Sequence, residues 1–68
     1  MILFSKRLQQ LRKEANLRQI DLAKKLNTTQ RRISHLESGK IEPDLATLVS
    51  IANFFNVTLD YLVGISDY

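Results

Sequence analysis

The sequence contains no cysteine, a single proline, two glycines and a single histidine in its 68 residues. Without cysteine, neither a disulfide framework nor a thiolate metal site can reinforce the fold, so stability has to come from packing alone. A chain of this length has room for one thin core and one domain, expected over residues 1–68. His35 has no second histidine and no cysteine to complete a metal site of the usual ligand count, so neither a metal nor a cofactor is expected. Ser34 and His35 are neighbours whose side chains diverge around a helix and form no nucleophile–base pair. No catalytic constellation is visible, and the chain is not expected to be an enzyme.

Long apolar runs are missing as well. At the N-terminus, MILFSKRLQQ, a short apolar stretch gives way at once to charge, unlike the core of a signal peptide. Nowhere is there an approach to the roughly 18 to 20 apolar residues that span a bilayer. With its cysteine-free composition the chain is expected to be cytoplasmic, with no membrane partner. No small-molecule ligand is evident.

Basic residues are absent from one part of the chain. All ten Lys and Arg fall within residues 1–40, against Glu14, Asp21 and Glu37, giving that segment +7. Residues 41–68 carry Glu42, Asp44, Asp60 and Asp67 and no base, giving −4, and the two segments make up the formal net charge of +3. A basic segment of this kind is an electrostatic footprint for a polyanion, of which nucleic acid is the commonest.

What is present is helical periodicity. Phe4, Leu8, Leu11 and Ala15 recur at the spacing of one helix face and predict a first helix over residues 3–15. Leu22, Ala23 and Leu26 mark a short second helix beginning at Arg18 or Gln19, with Asp21 and Lys25 placed as an i,i+4 pair. A third helix over residues 29–38 has Ile33 and Leu36 on its inner face, Thr28 or Thr29 as N-cap and Gly39 as its left-handed stop. Asp44 caps a fourth helix whose buried stripe is expected to be Leu45, Leu48, Ile51, Ala52 and Phe55. Thr58 caps a short fifth, with Leu59 and Leu62 inward, Asp60 near the positive end of its dipole and Gly64 at its end. The expected fold class is therefore all-α, five short helices joined by short loops, with no strands.

Residues 19–38 read QIDLAKKLNTTQRRISHLES, a short helix, a turn and a second helix, which is the spacing of a helix-turn-helix. Ala23 suits a close helix crossing, while Leu22, Leu26, Ile33 and Leu36 fix one helix against the other and hold the second outward. An α-helix fits the major groove of B-DNA, where Gln30 can pair with adenine and Arg31 can fork onto guanine from the first turn. Arg31 and Arg32 occupy the positive end of the helix dipole, at a cost of a few tenths of a kcal/mol that a bound phosphate would remove.

The ordered set LRKE, RQIDLAKKL, TTQRRISHLESGK, PDLATLVSIANFF and VTLDYLVG resembles the phage repressor and Cro family of helix-turn-helix regulators, also called the XRE family, over nearly the whole chain. The resemblance implies a lambda-repressor-like DNA-binding domain that binds double-stranded DNA as a transcriptional regulator, by preference a repressor. By position it implies that Thr29, Gln30, Arg31 and His35 read bases. It likewise implies that Gln19 anchors a phosphate, with Ser38 and Lys40 gripping the backbone beyond the third helix, and Arg18 and Arg32 are counted with them. Arg12 and Glu37 look like the family's internal salt bridge. Asn16, Asn27 and Asn56 stand where the family often has glycine, and asparagine is the other residue at ease in the left-handed region.

A homodimer on a palindromic operator is expected, because one short helix reads few base pairs and half-sites repeat about 34 Å apart. Phe54, Tyr61, Ile65 and Tyr68 are the candidate interface, with core packing as the alternative; a single-stranded nucleic-acid platform would need aromatics set among bases, and these lie in the acidic part. The rival function is an antitoxin or other protein-interaction module on the same fold. An RNA-binding module is disfavoured, since a helix cannot enter the narrow groove of A-form RNA.

Overall fold

The computed structural model describes residues 2–67. Five helices follow in order: α1 (Ile2–Glu14), α2 (Gln19–Lys25), α3 (Gln30–Ser38), α4 (Leu45–Phe55) and α5 (Leu59–Val63), with no strand among the described residues. None of these helices is long and apolar enough to cross a membrane.

Polar side chains set where the helices begin. Thr29 Oγ1 accepts from the Arg32 amide at 3.2 Å, Asp44 Oδ1 from the Thr47 amide at 2.8 Å and Thr58 Oγ1 from the Tyr61 amide at 3.0 Å, each satisfying a donor that the first turn leaves open. At α2 the N-cap residue is Arg18, and the Asp21 carboxylate reaches back to its amide at 2.9 Å. Left-handed residues set where helices stop. Asn16, Asn27 and Asn56 have φ of 59°, 57° and 56°, the conformation anticipated for asparagine in place of glycine.

The core consists of Phe4, Leu8, Leu22, Ala23, Ile33, Leu36, Ile51, Ala52 and Leu62, with Leu11, Leu17, Leu26, Leu48, Phe55 and Val57 half-buried around it. α2 lies chiefly against α3, α1 spans α3 and α5, and α4 rests on α5. Ala23, fully buried and without a long side chain, lets the two helices of the motif, α2 and α3, approach closely. Where α5 ends against α1, Gly64 has φ +92°, and a Cβ added there would fall 2.6 Å from Leu3 Cδ1, so both the turn and the close approach require glycine.

Four expectations from the sequence are corrected. Leu45 is 68% exposed and Leu59 37% exposed, although each shares its helix's apolar face. Both are the first residue after an N-cap, and because Cα–Cβ bonds tilt toward the helix N-terminus their side chains lean past the end of the packed region. Ala15 lies just beyond α1 and is exposed. Asp21 pairs with Arg18, at 2.9 Å to Nε and 3.0 Å to Nη2, instead of with Lys25. The carboxylate at the start of a helix finds its best donors at that end, where the amides also point. Tyr68, named with Ile65 as a candidate interface, lies outside the described residues.

Arg18 holds the Asp21 carboxyl at about 2, below its ordinary 3.8, first through the guanidinium and then through the backbone amide. A depressed folded-state value gives a contribution that is complete above the ordinary carboxylate value and is lost as pH falls through about 2. Thermal melts of the wild type and Asp21→Asn on either side of this window are expected to converge toward acid, the wild type losing an advantage that the variant never had.

Candidate nucleic-acid interface

The outer face of α3 follows from what its inner face is obliged to bury. Ile33 and Leu36 are withdrawn from solvent, and at 3.6 residues per turn this turns Arg31 outward, while Gln30, the first residue after the Thr29 cap, leans past the packed part of the helix; both are exposed. Thr29 is exposed at the cap, and Ser34 and His35 are half-buried farther along. The only carboxylate of α3 is Glu37, which points inward, so the exposed surface of this helix carries no negative charge.

Beyond α3 the chain turns sharply. Gly39, at φ +80°, lets the amides of Gly39, Lys40 and Ile41 converge on the His35 carbonyl, those of Lys40 and Ile41 at 3.0 and 3.4 Å. The Ser38 hydroxyl donates to the same carbonyl at 3.2 Å and accepts from the Lys40 amide at 3.4 Å. Ser38 and Lys40 are thereby held, exposed, on a fixed turn at the end of the helix.

Glu37 organises the inner side. Its carboxylate accepts from Arg12 Nε at 2.6 Å, from Arg12 Nη2 at 3.0 Å and from Gln19 Nε2 at 3.2 Å. Arg12 also donates from Nη1 to the Leu17 carbonyl at 2.8 Å. The Glu37 side chain is 2% exposed and that of Arg12 11%. The hydrogen bond to Glu37 raises Arg12 above its ordinary value, against the opposing effect of burial. Among the described residues no buried side-chain nitrogen or oxygen lacks a hydrogen-bond partner. Gln19 is thus half-buried at the start of α2 with its amide nitrogen tied to Glu37, an arrangement the sequence did not reveal.

Several cations of the basic segment are engaged within the protein. Arg7 lies over the Tyr61 ring, 4.2 Å from its centroid, and donates to the carbonyls of Tyr61 and Ser66, with Asp67 at 3.7 Å. It was counted only toward net charge, though its place three residues after Phe4 and four before Leu11 puts it at the margin of the apolar stripe. This contact places Tyr61 under a guanidinium, while Phe54 meets Phe55 edge-on at 4.9 Å and is 39% exposed. Arg32, expected among the phosphate ligands, is half-buried and donates to Thr47 Oγ1 of α4 at 3.1 Å. Arg18 keeps its exposure while bound to Asp21. Lys6, Lys13, Lys24, Lys25, Arg31 and Lys40 are exposed, so the positive surface is narrower than the formal charge implied but remains on the basic segment.

Removing Arg12 alone, as Arg12→Met, leaves the Glu37 charge buried without its main partner and is expected to cost roughly 3–5 kcal/mol. The double variant Arg12→Met with Glu37→Met should recover much of that loss. Urea unfolding of the four members of the cycle measures the coupling, and additive losses would show the two groups to be energetically independent.

Comparison with known proteins adds a family to this geometry. A sequence model described as helix-turn-helix matches residues 8–62. The HTH-type transcriptional activator BcrR of Enterococcus faecalis is 45% identical over 61 residues, covering 90% of this chain and 30% of that protein. An uncharacterized HTH-type transcriptional regulator, YqaE of Bacillus subtilis (strain 168), is 41% identical over 61 residues, covering 90% of this chain and 53% of that protein. The chain therefore spans about half the length of one relative and under a third of the other. Among solved structures, the P22 c2 repressor protein in complex with synthetic operator 9T superposes with a TM-score of 0.82 at 27% identity, covering 91% of this chain and 94% of that one. With this sequence pattern over most of its length and the fold of a phage repressor, the chain belongs to the helix-turn-helix family.

Proposed function

We propose that this chain binds double-stranded DNA sequence-specifically as a transcriptional regulator, by preference a repressor, with α3 in the major groove. The observation that carries the reading is the exposure of Gln30 and Arg31 on the first turn of a helix whose last turn is locked to α1 and α2 through Glu37. Such a helix presents an amide and a guanidinium, the two groups that pair bidentately with adenine and guanine, from a support rigid enough to discriminate between them. The relatives named transcriptional regulators and the operator in the P22 c2 repressor complex support the same reading. A regulator that acts on DNA in this way works in the cytoplasm.

In this reading Thr29, Gln30, Arg31 and His35 face base edges. Arg18, Gln19, Ser38 and Lys40 face the sugar–phosphate backbone, Gln19 with the part of its amide that Glu37 does not use. Two copies bind a palindromic operator. Ile65, 78% exposed, and Phe54 are the apolar groups available to an interface between copies.

Selection of preferred sites from a random duplex pool tests the proposal. The wild type is expected to return a two-fold symmetric site, whereas a pool that emerges unenriched would favour a protein-interaction module. Gln30→Ala and Arg31→Ala should each lose roughly 1–3 kcal/mol on the selected site and relax preference at one position, while Gln19→Ala weakens all duplexes alike. Affinity should fall steeply with salt, by close to 0.9 in log–log slope for each phosphate neutralised.

A further inference from the structure

We propose that Arg32 is a positioning residue: with Thr47 it straps the first turn of α3 to the first turn of α4 and so fixes the angle at which Gln30 and Arg31 meet DNA. This rests on the DNA-binding reading above. α3 is packed chiefly on α2 and α1, and on the side of α4 a cleft of about 260 Å³ opens between Leu26, Ile33 and Leu36 on one wall and Ala46, Ser50 and Ile51 on the other. Apolar contact therefore leaves the N-terminal turn of α3 incompletely braced in that direction. The Arg32–Thr47 hydrogen bond, at 3.1 Å, crosses the cleft there.

Both ends of this link are anchored. Thr47 is β-branched, stiff at χ1 in a helix, and its amide is held at 2.8 Å by the Asp44 cap. The Asp44 carboxyl is held below its ordinary value by the Thr47 hydroxyl and then its amide, with Arg32 attracting it as well, so the guanidinium has a counter-charge beside its acceptor. At the other end the Arg32 amide donates to Thr29 Oγ1 at 3.2 Å. Gln30 and Arg31 thus lie between two fixed points, the Thr29 cap and the Arg32 strap. Position 32 is about 200° around the helix from position 30, which turns its side chain away from the surface that Gln30 presents. Recognition geometry of this kind tolerates displacements of only about 0.5 Å or 10–20°, so a tie at this turn bears on which base is chosen as well as on stability.

Thr47→Val removes the acceptor while keeping shape and every charge, and Thr47→Ser restores the hydroxyl. Wild type and both variants, each verified as folded by thermal melt, are taken through site selection and a salt titration. For Thr47→Val the expected result is an unchanged salt slope, with discrimination between the selected site and its single mismatches at the Gln30 and Arg31 positions lowered about two- to tenfold, the range set by one net hydrogen bond. Thr47→Ser should keep the wild-type profile. Arg32→Met should reproduce the Thr47→Val profile, again with the wild-type slope.

An unchanged preference in Thr47→Val, with or without a lower melting temperature, would overturn the proposal. So would a salt slope reduced by about one unit in Arg32→Met, the mark of a phosphate ligand. If the wild type itself selects no duplex, it is the DNA-binding reading that fails, an outcome distinct from a wild-type preference that the variants share.

Discussion

The buried carboxylate of Glu37 is the constraint on which the arrangement of this domain depends. A charge withdrawn from water must be met by donors with good geometry, and three of them come from outside its own helix: two from Arg12 on α1 and one from Gln19 on α2. Because Arg12 also donates to the Leu17 carbonyl, the same guanidinium fixes the turn between α1 and α2. Hydrophobic burial of Ile33 and Leu36 would decide only which side of α3 faces inward. The ion pair adds the height of the helix and narrows its rotation, since a displaced α3 would strand a charge. The outward aim of Arg31 is a consequence of that inner network, Gln30 is exposed as the first residue after the Thr29 cap, and a residue of α3 itself supplies the network's centre.

Much of this was legible in the sequence because it depends on local chemistry. Thr29, Asp44 and Thr58 cap because each is a short oxygen-bearing side chain directly before an apolar period, and the three asparagines adopt positive φ because their place after a helix calls for it. The Arg12–Glu37 geometry was anticipated through family resemblance; residues 25 apart in sequence are not brought together by periodicity. Leu45 and Leu59 were misread because a helical wheel has no ends. It assigns a face but does not say that a side chain in the first turn projects beyond its neighbours. Asp21 was misread for a related reason, since i,i+4 spacing treats all positions of a helix alike, whereas its first turn offers amides and its last does not.

The long cations were the least legible residues. Net charge counts Arg7, Arg12, Arg32 and Lys40 equally, but the structure engages the first three internally and leaves Lys40 exposed. What separates them is the combination of reach and position. Arg7 and Arg12 stand on α1 at the margin of the buried stripe, from which a planar fork of donors can cross to carbonyls and a carboxylate that the core leaves at its edge. Arg32 stands likewise beside Ile33. The lysines of this chain fall on outward positions and remain in water, where their charge is available at long range. A basic segment is therefore two populations, one structural and rich in arginine, the other solvated and rich in lysine.

This division has a consequence for a domain of 68 residues without disulfides. Among the described residues its core contains seven large, fully buried side chains, few to hold five helices in a unique arrangement by apolar contact alone. Arginine is suited to the missing specification, because each guanidinium presents donors in several directions and can join three elements at one point. Arg12 joins α1, the following turn and α3; Arg7 joins α1, α5 and the segment after α5; Arg32 joins α3 to α4. Every helix except α2 is held by one of the three, and α2 is reached through Gln19 on the carboxylate that Arg12 already binds. The polar links thus form a second, directional framework over the hydrophobic one, and it is the directional framework that sets how α3 is presented to solvent.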